Sequence, residues 1–543
     1  MIEAFWIPLL PPYLIGLVLS FAVEALLTPR PVAPWKRPMA AVGVHVGVWT
    51  LAFALELMLF RRPYFAVANV LAIELLIVLV SNAKFKALKE PFVYPDFEYF
   101  LDAIKHPRLY LPFFGVGKAL AAGGGYGVAL WAGLTLEDSV TAGAGVWLAS
   151  FAELPQEGVF DPTVPVGFFF SFSAGLALIG SACIALGNQG QSPRFDAIFD
   201  LRNMGLFTAL NSYRECERRP IAAIRQKAPF AAIAPAERAL ALLPDMVVIQ
   251  SESFFDVRRA YPNLIQQDVL ANFDVLKSEA IEHGTLSVEA WGANTVRTEF
   301  GFLSGIGSQA LGVHQYNPYR KLTQSPFPSL PSYLRSLGYR TICVHPYYRT
   351  FYRRHRALPM LGFDEFIDIS AFGTGGREGA YVGDRALGEM VSQLLDHASD
   401  DPLYIHVITM ENHGPLHWEQ ITPEDEACTM TRPLPAGCGD LIAYVKHLRN
   451  ADAMFGQMRE TLLSRNRHSV LCLFGDHVPI MPGVYRALGQ SDGQTDYVLW
   501  RSDLRQSSPP RAVDVTSLAL RYSEIAGLSG LLGRSDSRTS TKG

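Results

Sequence analysis

The chain has little excess charge of either sign. Its 47 basic and 51 acidic residues leave a net −4, with a pI near 6.4, so no basic field for nucleic acid exists. The start, Met1-Ile2-Glu3, lacks the basic segment of a cleavable signal, and further apolar runs follow the first closely; the N-terminus is expected to stay in the membrane. Cysteine is sparse, with six residues. Among these, Cys428 and Cys438 bracket a short loop containing Pro and Gly. A disulfide there fits an oxidising compartment, and two unpaired loop thiols fit the same spacing.

What is present divides the chain in two. At 543 residues it exceeds one ordinary core, and the mean hydropathy of +0.15 points to a membrane part. Apolar runs at 5–27, 40–60, 64–80, 116–136 and 164–186 each approach the roughly 20 residues that cross a bilayer, giving five expected spans. Glu56 and Glu74 lie inside such runs, where a carboxylate faces a partner or a cavity. Gly123-Gly124-Gly125 predicts close helix packing. The loop charges bear on orientation. Arg30, Lys36 and Arg37 load the first loop, and Lys84, Lys86, Lys89, Lys105 and Arg108 the third. With five spans this places the C-terminal part in the cytoplasm, and a sixth crossing at 139–154 reverses it.

After a mixed, charged stretch at 188–243, strand-length runs (246–250, 285–289, 340–344, 403–409, 469–474) alternate with helical patterns (330–337, 385–395, 441–463). This alternation predicts an α/β domain with a mostly parallel sheet. The expected organisation is a membrane domain at 1–187, a connecting segment with amphipathic helices at 188–243, a catalytic domain at 244–530 and a disordered tail at 531–543.

Chemistry-bearing residues follow the strand ends, where ligands collect in open α/β sheets. Ser251-Glu252-Ser253 leaves the first strand, and Gly475-Asp476-His477 leaves the last of these runs. Oxygen and imidazole donors together suit manganese, zinc or iron better than calcium. Thr295, in Gly292-Ala293-Asn294-Thr295, precedes an apolar pattern that predicts a helix. A hydroxyl at a helix N-terminus is either an N-cap or a nucleophile favoured by free N–H groups. Thr298 is a second candidate nucleophile, and Glu299 a cap or an outer support for the metal. Asn412-His413 offers an acid or base, while His345, Arg353 and Arg354 supply cations for phosphate.

Taken together, Glu252, the Asn294-Thr295 stretch, Asn412-His413 and Gly475-Asp476-His477, behind a multi-span N-terminus, resemble the lipoteichoic acid synthase family. Its members are membrane-bound phosphoglycerol transferases of the alkaline phosphatase and sulfatase superfamily. The resemblance implies an outward-facing sulfatase-like domain. It implies Glu252, Thr295, Asp476 and His477 as ligands of one divalent metal, manganese first and zinc or magnesium as alternatives. Thr295 would also be the nucleophile, His413 a catalytic and substrate-site residue, and Arg354, His345 and Tyr352 substrate contacts. Phosphatidylglycerol would be the donor and a glycan or glycerol hydroxyl the acceptor. No Cys/Ser-x-Pro-x-Arg motif occurs, which disfavours sulfatase activity. Asn294-Thr295-Val296-Arg297-Thr298-Glu299-Phe300 resembles relatives that decorate glycans rather than polymerise. The rival readings are a phosphoethanolamine transferase and a non-catalytic membrane sensor or scaffold.

Overall fold

The structure, a computed structural model, describes residues 2–99, 116–141, 166–231, 243–397 and 401–528. The chain forms two compact units, Met1–Arg219 and Pro220–Gly543. This boundary falls inside the expected connecting segment at 188–243.

In the first unit, all five apolar runs are helical: α1 (Ile2–Glu24), α2 (Met39–Phe60), α3 (Pro63–Leu88), α4 (Val116–Leu136) and α5 (Val166–Asn188). Among the described residues, three helices are long and apolar enough to cross a membrane: Met39–Phe60, Pro63–Leu88 and Gly167–Asn188. Residues 142–154 of the sixth-crossing alternative lie outside the described residues. Among the described residues nothing comes within 4 Å of a Cβ built on Gly123, Gly124 or Gly125, so the close packing expected there is not seen between them. It occurs instead where α2 meets α5. A Cβ on Gly47 would stand 2.8 Å from the Gly180 carbonyl, and one on Gly180 2.8 Å from the Gly47 carbonyl. Glu56 accepts from Asn69 Nδ2 at 2.7 Å, an interhelical bond between α2 and α3. Glu24, at the end of α1, pairs with Arg37 at 2.6 Å and accepts the N–H of Leu206, which opens the helix α6 (Leu206–Glu217).

The second unit is built on an eight-stranded sheet. The strands used below are β1 (Asp245–Ser251), β2 (Glu282–Ser287), β3 (Arg340–Val344), β4 (Glu365–Ile367), β5 (Leu403–Ile408), β6 (Ser469–Gly475), β7 (Thr495–Arg501) and β8 (Val513–Asp514). Their spatial order is β8-β2-β7-β6-β1-β5-β3-β4. All pairs are parallel except those of β7 with β6 and β2. β1 is central and buried throughout, which is why Met246-Val247-Val248-Ile249 reads as a continuous apolar run rather than an alternating one.

Side chains on successive strand residues face opposite ways, and each face has its own core. Val247, Ile249, Ile405, Val407, Leu471 and Leu473 join one cluster with α9 (Asp384–Asp396) and α10 (Gly439–Ser464). Met246, Val248, Tyr404, Val470, Cys472 and Phe474 join the other with α7 (Thr295–Ser304) and α11 (Val515–Ile525). The α8 helix (Arg354–Met360) follows β3. At the mouth of β1, Asp245 is fully buried and held by Arg465 at 2.6 Å.

Register sets the site. Ser251 lies opposite Gly475, and Gln250 opposite Ile408, so Glu252 and Asp476 leave neighbouring strands at one level, with Thr409 one residue lower on the third strand. Gly475 must lack a side chain, because a Cβ there would collide with the Phe254 carbonyl.

The disulfide expected between Cys428 and Cys438 is absent, and both are free thiols. Cys428 is exposed on a short helix, Pro423–Thr429. Cys438 is the N-cap residue of α10 and is packed into the core, where it serves as a small apolar side chain.

Candidate metal centre and phosphoryl site

Three donors converge at the sheet rim. One ligand atom each from Glu252, Asp476 and His477 lies within 4.8 Å of the others, and all three residues are buried. The backbone is shaped to hold them. Asp476 Oδ1 accepts the N–H groups of Ser253 and His477, both at 2.8 Å. The Glu252 N–H is held by Thr409 Oγ1 at 2.9 Å, and its Oε1 accepts from Ser253 Oγ at 2.8 Å. Ser253 achieves this with φ of 55°, a conformation non-glycine residues rarely adopt and one that clusters at functional sites.

The tautomer of His477 follows from its neighbours. With the proton assigned to Nδ1, which faces the Val478 carbonyl at 3.2 Å and Ser253 Oγ at 3.3 Å, Nε2 keeps a bare lone pair. That lone pair points at two carboxylates, 3.4 Å from Asp476 Oδ2 and 3.6 Å from Glu252 Oε1. Asp476 Oδ2 and His477 Nε2 are both buried without a hydrogen-bond partner. Acceptors facing acceptors in a buried place lack only a cation. Burial, and then the charge of Asp476, push Glu252 up to about 8, the strain a bound cation would relieve. The donor set thus fits a divalent metal of the manganese, zinc or iron type.

Thr295 opens α7, preceded by Asn294 in the left-handed region at φ 67°. It is buried at the end where the helix N–H groups are unpaired and the dipole is positive. The first turn is fastened to the metal-side loop, because Thr298 Oγ1 donates to the Asp476 carbonyl at 2.8 Å. That bond commits Thr298, which is fully buried, and leaves Thr295 as the hydroxyl at the helix end.

One turn beyond Thr295, Glu299 is fully buried against Arg354. Arg354 Nη2 and Nε reach Glu299 at 2.7 and 3.3 Å, and Tyr319 donates to the same carboxylate at 2.5 Å. Arg354 Nη1 donates to His345 Nε2 at 3.2 Å, while His345 Nδ1 donates to the Ile408 carbonyl at 3.1 Å. Burial, then the Arg354 charge, hold His345 well below the ordinary imidazole range. Burial opposes the charge on Arg354, but Glu299 outweighs it and keeps the guanidinium protonated. Tyr352 is half-buried, with Arg354 Cζ 5.2 Å from its ring centre.

His413 stands on the loop after β5, with Nδ1 donating to the Gly414 carbonyl at 2.8 Å and Nε2 available. Burial keeps it below the ordinary imidazole value, partly offset by the bond to the Gly414 carbonyl and then by the charge of Asp476.

Other residues here escape sequence reasoning. Glu411 accepts from the Asp384 N–H and from Asn450 Nδ2, both at 2.6 Å, tying the His413 loop to α9 and α10. Burial raises Glu411 to about 7 and, with the Glu411 charge, Asp384 well above the carboxylate range. Thr409 and Ser253 sit beside recognisable motifs, so their positions were visible but their bonds were not. Asn412 is buried, and its amide has no partner among the described residues.

A family profile described as Sulfatase matches residues 244–525. The chain is similar to the capsular polysaccharide biosynthesis protein RkpI of Rhizobium meliloti (strain 1021), 32% identical over 276 residues, covering 50% of this chain and 48% of that protein. The match therefore spans about half the length of that relative. It is also similar to lipoteichoic acid synthase 1 of Bacillus subtilis (strain 168), 27% identical over 184 residues, covering 32% of this chain and 27% of that protein. Among solved structures, the integral membrane protein lipooligosaccharide phosphoethanolamine transferase A of Neisseria meningitidis overlays 89% of this chain and 87% of its own, with a TM-score of 0.53 at 14% identity. At that identity the likeness is one of fold.

Proposed function

The chain belongs to the Sulfatase family, and on that premise we propose that it is a membrane-bound phosphoglycerol transferase. It would move the headgroup of phosphatidylglycerol to a glycan or glycerol hydroxyl. The observation that carries this reading is the buried, cation-deficient trio of Glu252, Asp476 and His477, fastened through Thr298 to the helix end that bears Thr295. The name of the capsular polysaccharide relative supports a glycan acceptor.

Glu252, Asp476 and His477, joined by the Thr295 hydroxyl, would hold one divalent ion, manganese or zinc by donor chemistry. When bound, such an ion polarises a phosphoryl oxygen and lowers the pKa of the threonine hydroxyl. Thr295 Oγ attacks the phosphorus of the donor and its proton passes to His413 Nε2; the bond to the diacylglycerol oxygen breaks, and that oxygen takes the proton from His413 as it leaves. The product is a glycerophospho-threonine. His413 Nε2 then takes the proton of the acceptor hydroxyl, whose oxygen attacks the same phosphorus, and returns it to Thr295 Oγ as that bond breaks. The free N–H groups of α7 and the field of Arg354 counter the charge that gathers on the phosphoryl oxygens. The catalytic unit would work on the periplasmic or extracellular side, where no nucleotide donor is at hand and a lipid headgroup serves.

Phosphoethanolamine transfer is a second reading, favoured by the overlay of both units on a phosphoethanolamine transferase. The test is diacylglycerol release by the full chain in detergent. Release from phosphatidylglycerol but not phosphatidylethanolamine supports the proposal, and the opposite preference selects the second reading. Release from neither leaves the scaffold reading.

A further inference from the structure

Aromatic residues of the catalytic unit are nearly all inside it. Among its described residues only two are exposed, Tyr348 at 54% and Trp418 at 50%. Scattered exposed aromatics need no explanation, but these two are not scattered. Tyr348 lies three residues beyond His345 on the loop that leaves β3, and Trp418 five beyond His413 on the loop that leaves β5. β3 and β5 are neighbours in the sheet, so both loops rise from the same stretch of the rim.

Behind Tyr348 stands a continuous aromatic wall that reaches the His413 loop. Ring centres run from His345 to Tyr347 at 6.2 Å, from Tyr347 to Tyr381 at 6.3 Å and from Tyr381 to His413 at 5.7 Å. Tyr347 also meets Tyr348 at 5.2 Å and Phe351 at 5.3 Å, both edge to face. The Tyr381 hydroxyl donates to the Gly414 carbonyl at 3.3 Å, which fixes the wall to the His413 loop. Tyr348 is therefore mounted on a buried support, while Trp418 stands on the short 3-10 turn Leu416–Trp418 that follows the His413 loop, its ring 5.9 Å from that of His417.

We propose that Tyr348 and Trp418 form the acceptor subsite, a platform on which a sugar ring of a glycan stacks while one of its hydroxyls reaches His413. This rests on the transferase reading above. The chemistry matches a pyranose. Its C–H face is apolar and suits the face of an aromatic ring, its edge of hydroxyls needs polar partners, and Tyr and Trp combine an apolar body with a polar tip. Glycerol has no such face and gains little from the platform.

The experiment uses the full chain in detergent and a panel of soluble gluco- and galacto-oligosaccharides, with cellohexaose as the lead probe. Binding is measured by calorimetry without any lipid donor, so it is independent of which donor is right. The wild type is expected to bind at least one member. The double variant Tyr348→Ala with Trp418→Ala should weaken that binding at least tenfold, and Tyr348→Phe with Trp418→Phe should restore most of it. With phosphatidylglycerol present, the preference for that oligosaccharide over glycerol as acceptor should fall by a similar factor in the alanine variant. No binding by any panel member, unchanged binding in the alanine variant, or an equal loss of transfer to both acceptors overturns the proposal. If the alanine variant instead loses binding to phosphatidylglycerol vesicles and keeps sugar binding, the rings serve the lipid surface and the proposal falls. Failure of diacylglycerol release in the wild type would count against the transferase reading alone.

Discussion

Glu299 shows how much a single residue can carry unannounced. Its place one turn after Thr295 puts both on neighbouring positions of α7, so the helix sets the distance between the hydroxyl and the guanidinium that Glu299 holds. A carboxylate in Thr298-Glu299-Phe300 reads from sequence as a cap or an outer metal support; its real partners, Arg354 and Tyr319, are far along the chain. Because the Arg354–Glu299 pair is almost fully buried, removing one charge strands the other. Glu299→Gln should cost about 3 kcal/mol of stability, read as a lower urea midpoint at unchanged slope in detergent. The exposed Arg340–Glu365 pair is the control. Arg340→Gln should change stability by less than about 1 kcal/mol.

At the level of elements, β1, β3, β5 and β6 were legible because buried parallel strands are short, continuous and apolar, as at Met246-Val247-Val248-Ile249, whereas β4, β7 and β8 were not among the expected runs and β2 starts three residues before its own. The rim was legible for the same reason: Glu252, Asp476 and His413 each follow such a run. What stayed hidden depends on register and packing. The Glu411–Asp384 contact joins a strand end to a helix start, and the Glu24–Arg37 pair joins two helix ends. The glycine triplet in α4 misled because small residues permit close packing without requiring it, whereas Gly47 and Gly180 are used that way. Likewise Cys428 and Cys438 are close in sequence, but one faces solvent and the other the core.

The central strand β5 also carries a pH-dependent term. His406 is fully buried between the Tyr404 hydroxyl at 3.1 Å and Gln250 Oε1 at 3.3 Å, and burial lowers its pKa to about 4. A histidine depressed in the folded state takes up a proton more readily when unfolded, so its contribution is complete above the unfolded value and is lost as pH falls from about 6.5 towards 4. The full effect is roughly 3 kcal/mol. Urea midpoints at the two ends of that window should therefore differ more for the wild type than for His406→Gln; equal differences would place the acid sensitivity elsewhere.

For the whole molecule, the candidate metal centre joins two chain segments far apart in sequence, Glu252 and Asp476-His477, so a bound cation should stabilise the second unit as a unit. At roughly a hundredfold excess over Kd the gain is about 3 kcal/mol, a rise of a few degrees in Tm. Chelation should lower the Tm and added manganese or zinc restore it. Asp476→Asn should blunt both changes, and an identical chelation response in that variant would move the metal to another place.

The proposed transfer passes through one covalent species, a glycerophosphoryl group on Thr295. Intact-mass spectrometry of the full chain after incubation with phosphatidylglycerol tests it most directly. The wild type should gain the mass of a glycerophosphoryl group with loss of water, and Thr295→Ala should gain nothing. An adduct that persists in Thr295→Ala, or a wild type that gains a phosphoethanolamine group from phosphatidylethanolamine and nothing from phosphatidylglycerol, would contradict the account.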